Sequence, residues 1–147
     1  MAGTVVADTL QADSTSTLVL KNGVANTPPT IQDSAGTQIG TFCRAWVNFD
    51  GTGTFSPNPS TTKIRASFNV SSITDNGTGD YTVNFTNALP DANYSMIGTS
   101  SLPSGGSDRR VVATNLNTTP TTSAVRISVG YGATADDQTY VQVAIFR

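Results

Sequence analysis

Two pairs of aspartates in this chain of 147 residues are the candidates for paired-carboxylate chemistry. Asp75 and Asp80 bracket the run DNGTGD, and Asp136 and Asp137 are adjacent. Hydrolysis of a glycoside needs two carboxyl groups roughly 5–10 Å apart, one to protonate the leaving oxygen and one to act as base or nucleophile. Histidine and glutamate are absent. That removes the commonest general acid–base group and every Ser-His or Cys-His nucleophile arrangement. All four aspartates fall in turn-like sequence, where Asp is favoured because its side chain accepts backbone hydrogen bonds. The expectation is a protein with no active site.

The run Asp75–Asp80 also has a faint likeness to a calcium loop. Such a loop takes oxygen ligands at set intervals and usually a bidentate Glu, so a hairpin turn is the expectation here. Cys43 is the single cysteine. Neither a Cys cluster for zinc nor an internal disulfide can form, which fits synthesis in a reducing cytosol. Cys43 alternates with Ala45, Val47 and Phe49 and reads as a small buried hydrophobe. No metal or cofactor is expected. The net charge is -2, and no Lys/Arg stripe exists to neutralise phosphates, so nucleic acid is not an expected partner. The basic pair Arg109-Arg110 reads as a solvated loop end. No apolar run approaches about 20 residues, so no membrane span is expected. The opening MAGTVVADTL lacks the basic and apolar regions of a signal peptide.

The elements that must carry these residues are strands. Charged residues make up 12% of the chain, against roughly 25% in ordinary soluble domains. Glu is missing and Lys occurs twice, so few strong helix formers remain. Thr, Val and Tyr favour strands, while Asn and Gly favour turns. The small net charge argues against disorder.

The organising block is Lys63–Gly98. Ile64, Ala66, Phe68 and Val70 alternate with polar residues, a period of two that marks a half-buried strand. Asp75-Asn76-Gly77 and Gly79 then allow a reversal. Tyr81, Val83 and Phe85 alternate next, and Tyr94–Ile97 reads as a third strand, making a meander. Upstream, Thr41–Asp50 puts Phe42, Arg44 and Trp46 on one face and Cys43, Ala45, Val47 and Phe49 on the other. Two readings fit those two faces. A second subunit covers the Trp46 face, or this is a central strand with Trp46 partly exposed. Downstream strands are expected at Arg109–Leu116, Ala124–Tyr131 and Tyr140–Phe146. The fold class is all-β: an antiparallel β-sandwich or jelly roll over residues 41–147.

Residues 1–40 differ. They hold no aromatic residue, and Val5, Val6, Leu10, Leu18, Val19 and Leu20 are short apolar touches between polar tracts. Such a segment buries too little to fold alone. Two readings compete, a flexible tail and an arm ordered by pairing with other chains; the expectation is an extended docking arm, with Val5, Val6, Leu10, Leu18 and Leu20 as docking residues. Three loops, Asp50–Thr62, Thr99–Asp108 and Gly132–Gln138, are candidates for recognition. Phe55 and Tyr131 would offer aromatic surface there, beside Asn, Ser and Asp groups suited to sugars.

The run SFNVSSITDNGTGDYTVNFTNALPDANY, with CRAWVNFDGTGT upstream, resembles a domain common in tail-fibre and other virion structural proteins of tailed phages, including phages of cyanobacteria. The resemblance covers Phe42–Gly98 best. It departs from the pattern at Phe55–Thr62, which looks like a loop insertion, and it brings no set of functional residues. It implies a virion protein that is not an enzyme, is made in the host cytoplasm and is generally homotrimeric. Phe42 and Trp46 are the expected subunit interface. Three roles are compatible: a short tail, neck or head fibre, a fibre tip that reads host-surface saccharide, and a capsid decoration or cement protein. Residues 1–40 are too few for a long shaft, which favours the short appendage.

Overall fold

The computed structural model describes residues 31–101, 109–115 and 117–147. In chain order its strands are β1 (Ile31–Gln32), β2 (Gln38–Gly40), β3 (Cys43–Phe49), β4 (Ile64–Phe68), β5 (Val70–Gly77), β6 (Asp80–Phe85), β7 (Ser95–Ser100), β8 (Val111–Thr114), β9 (Ala124–Tyr131), β10 (Thr134–Ala135) and β11 (Val141–Phe146). No helix occurs among the described residues. One sheet runs β4-β3-β11-β7; the other runs β5-β6-β9, with β8 and the short β10 also paired to β9. Every pairing is antiparallel.

The two sheets pack face to face. Ala45, Val47 and Phe49 of β3 and Val141, Val143 and Ile145 of β11 meet Ile73, Tyr81, Val83, Phe85, Val125, Ile127 and Val129 of the opposite sheet in one buried cluster. The alternating residues of β3, β6, β9 and β11 put their apolar set inside, as the period of two requires. Phe49 and Tyr81 meet edge to face across the layer, with centroids 5.2 Å apart. The expected antiparallel sandwich is the fold. Within the sheets, β3–β4, β5–β6 and β8–β9 are neighbours in sequence as well as in space.

The block Lys63–Gly98 is not a meander in one sheet. Asn69 adopts a φ of 55°, and the chain turns a corner there. β4 stays in the first sheet while β5 starts the second. Phe68 is consequently exposed and Val70 buried, although strict alternation puts them on the same face. Asn tolerates this left-handed backbone and can bond locally. Its side-chain nitrogen donates to the carbonyls of Arg44 at 3.0 Å and Asn87 at 3.1 Å, and its oxygen accepts the Asn87 N–H at 2.8 Å. β7, read as the meander's third strand, pairs with β11 in the first sheet.

The hairpin between β5 and β6 forms at Asn76–Gly79 as expected. Gly79 has a φ of +62° and lies so close to β9 that a Cβ would sit 2.3 Å from the Val129 carbonyl oxygen. The loop of residues 55–62 lies along the edge of β5. Ser60 and Ile73 exchange backbone hydrogen bonds at 2.7 and 2.9 Å. The Asn58 side chain bonds the Asp75 carbonyl at 2.7 Å and its N–H at 2.9 Å. An unpaired edge invites pairing with another chain; the loop occupies this one.

Residues 31–40, expected as the end of an extended arm, fold back as the hairpin β1–β2. The Asp33 carboxylate closes its turn by accepting the N–H groups of Ala35 and Thr37, each at 2.9 Å. Val5, Val6, Leu10, Leu18 and Leu20 lie outside the described residues.

Candidate functional site

The carboxylates are built into the framework. Asp80, on β6, receives Arg126 of β9 in a bidentate pair at 2.8 and 2.7 Å. Asp136 receives Arg110 at 2.7 Å and the Gln138 amide at 2.8 Å. Asp75 caps its own hairpin through the Gly77 N–H at 2.9 Å. Asp137 accepts the Gly79 N–H at 2.7 Å and the Tyr81 hydroxyl at 2.5 Å. That hydroxyl also lies 2.8 Å from the Gly51 carbonyl oxygen. Tyr81 thus ties three loops together at one end of the sandwich. Burial, then the hydrogen bond and charge of Asp137, push its pKa well above the usual phenol value. No cluster of three potential metal-ligating residues occurs among the described residues, and no helix there could cross a membrane.

The loops differ in what they offer. Phe55, expected to present aromatic surface, is instead buried and stacked on Tyr81 with centroids 5.9 Å apart. Its loop is closed by Lys63, which donates to the Thr52 carbonyl at 2.6 Å. Asp50 braces the same loop. Burial opposes its ionisation, but hydrogen bonds from Thr52 and the charges of Arg65 and Lys63 hold its carboxyl below the ordinary range. Tyr131 is exposed as expected. It stands by a shallow groove of about 270 Å³ lined by Val111, Ser128, Gly130, Gly132 and Thr134. Arg110 lies 5.9 Å from the Tyr131 ring and is ion-paired with Asp136, so it is no free loop end, whereas Arg109 is exposed. Cys43 is half-buried and donates to the Ala45 carbonyl at 3.2 Å. Of the loop Thr99–Asp108, residues 102–108 lie outside the described set.

The outer face of the sheet β4-β3-β11-β7 carries several exposed apolar side chains. Trp46 and Phe42, the expected interface residues, are exposed to 40% and 38% in the single chain. In one subunit, therefore, β3 is a central strand buried on its inner face only. Two further residues of the face went unnoticed in the sequence, Phe68 at 55% and Ile97 at 59% exposed. The strand register aligns them: Phe68 lies opposite Trp46, Trp46 opposite Ala144, and Ala144 opposite Ile97. One row of side chains, large, large, small, large, crosses all four strands. The next row, Ala66, Asn48, Gln142 and Thr99, is neutral too. The signal for Phe68 was the Asn69 corner, and for Ile97 the pairing with β11; neither is a feature of local alternation.

Comparison with family models, with curated proteins and with solved structures found no significant match.

Proposed function

We propose that this chain is a non-enzymatic structural protein of a tailed-phage virion: a short homotrimeric fibre or appendage on the tail, neck or head, attached through residues 1–40. The observation that carries the reading is the use of its polar and apolar groups. The four aspartates of the two pairs serve ion pairs, turns and the Tyr81 junction. A broad apolar face, by contrast, is left bare. A hydrolase has the opposite need, free carboxylates facing a cleft. The resemblance of SFNVSSITDNGTGDYTVNFTNALPDANY to phage virion domains supplies the particle. Capsid decoration is compatible with the same residues. A saccharide-reading tip finds support in the exposed Tyr131 beside its groove.

Labelled antibody against the chain, viewed on intact particles by electron microscopy, tests the proposal. Label at a discrete tail, neck or head position supports it. Particles that carry no label overturn it. Binding of host polysaccharide that is lost in Tyr131→Ala would move the role to the fibre tip.

A further inference from the structure

We propose that the outer face of the sheet β4-β3-β11-β7 is where copies of this chain meet, with Trp46 of one copy seated in the hollow that Ala144 leaves on another. The inference deepens the reading above and takes from it only the expectation that copies associate.

The row Phe68–Trp46–Ala144–Ile97 leaves a large apolar area in water. Aromatic side chains bury roughly 150–250 Å² each when covered. With 55% of Phe68 and 40% of Trp46 exposed, the two aromatic side chains alone present roughly 150–250 Å² to water, and Ile97, 59% exposed, extends the patch. A contiguous patch of a few hundred Å² is in the range of the largest one on a typical monomer, which is often functional. A stable interface needs about 800 Å² per partner, apolar at the centre and polar at the rim. The row supplies the centre. The neutral row Ala66, Asn48, Gln142 and Thr99 supplies part of a rim.

Charge and shape select the occupant. Neither row holds an ionisable side chain, so the rows themselves bring no like-charge repulsion when two copies meet; Arg44 borders them on the outer face of β3. The face is four strands wide, about 14 Å between its edge strands at the usual strand spacing. Two sheet faces can pack with their side chains interdigitating. Ala144 is the one small residue in the row. Beside it Ile97, Thr99 and Gln142 border a depression of about 140 Å³, close to the roughly 150 Å³ that accommodates a benzene ring. Reversing the row on a second copy places Trp46 over that copy's Ala144 and Phe68 over its Ile97. At the centre of the row, therefore, large residue meets small, with Trp46 and Ala144 exchanged between the copies.

The test is the mass of the full chain in solution by light scattering and sedimentation, across micromolar concentrations. The reversed row makes a two-fold contact, so the wild type is expected at twice the 15.3 kDa chain mass, and a three-copy mass would overturn this contact. Ile97→Lys and Phe68→Lys should each weaken association by roughly thirtyfold or more, the effect of losing an interface anchor. Both sites are exposed, so circular dichroism and melting should show an unchanged fold. Val111→Lys, at an exposed apolar site on the other sheet, should leave the mass unchanged. Ala144→Leu should dissociate the assembly by filling the hollow. A monomeric wild type, an assembly that survives both lysine variants, or one dissolved equally by Val111→Lys would each overturn the proposal. A two-copy mass that responds to Ile97→Lys would support this contact and overturn the homotrimer. Virion location is decided separately by the antibody label.

Discussion

Removing one oxygen from the core, in Tyr81→Phe, measures how far the junction of three loops holds this sandwich together. The Tyr81 ring is fully buried between Phe49 and Phe55, and Phe keeps those contacts. What is lost is the hydroxyl, 2.5 Å from Asp137 and 2.8 Å from the Gly51 carbonyl. It carries one proton for two acceptors, and the shorter bond to the carboxylate takes it. Hydrogen bonds to charged groups contribute about 1.5–3 kcal/mol. Asp137 retains the Gly79 N–H, which places the expected loss at about 2 kcal/mol rather than at the cost of an orphaned charge. At this chain length that lowers the melting temperature by about 4–8 °C. Urea unfolding should move to a lower midpoint with an unchanged slope. The pH profile gives a second reading. Tyr81 and Tyr94 both have raised pKa values, Tyr94 pushed up to about 12 by burial. The fold prefers their neutral form. Their contribution is complete below the ordinary value of 10.0 and is lost as pH rises through the folded values. Wild-type stability should fall from pH 10 upward, and Tyr81→Phe should fall less steeply. A loss below about 0.5 kcal/mol, with an unchanged alkaline profile, would refute the idea that this hydroxyl holds the loops.

Other substitutions probe the corner, the turn, the edge and the face. Asn69→Ala should lose about 2–4 kcal/mol in chemical denaturation, from left-handed strain and four broken hydrogen bonds; Asn69→Gly should recover the strain part, and equal losses would refute the corner. Gly79→Ala, with a Cβ 2.3 Å from the Val129 oxygen, should cost more than about 3 kcal/mol or leave no cooperative melt. Asn58→Ala opens the edge of β5 and should cost about 1 kcal/mol and speed aggregation, followed by turbidity. Trp46→Ala should cost no more than about 2 kcal/mol in single subunits, since the side chain is 40% exposed and large losses need full burial. A larger cost that appears only in assembled protein would place Trp46 under a neighbour.

The sandwich was legible because its inner face follows the simplest rule a strand has. Ala124–Tyr131 and Tyr140–Phe146 alternate without interruption, and β9 and β11 form there with their apolar sets inside. The same rule failed at Asn69, where one residue with positive φ ends one strand and starts another in the opposite sheet. Alternation counts positions along a strand and assumes the strand continues. Phe55 was misplaced for a related reason. A loop in sequence reads as surface, but this one turns inward at Phe55 and lies against β5 at Ser60. β10 was missed because two residues carry no period at all.

The bare face could not have been read from any one segment. Phe68, Trp46, Ala144 and Ile97 come from four strands, spread over most of the chain, and only the register makes them neighbours. In isolation each is a lone exposed residue of the kind that needs no explanation. Side by side they form a surface that water disfavours, in a protein that otherwise guards its weak points. The edge of β5 is strapped by Asn58 and Ser60, and the two aspartate pairs are tied into bonds and turns. The chain closes one edge with the loop of residues 55–62 yet leaves the row open across a neighbouring sheet, as the proposed contact between copies requires. The contrast gives the lysine variants at Ile97 and Phe68 a stated direction. They should raise the solubility of the free chain while abolishing its assembly; a loss of solubility would mean that the face serves folding rather than association.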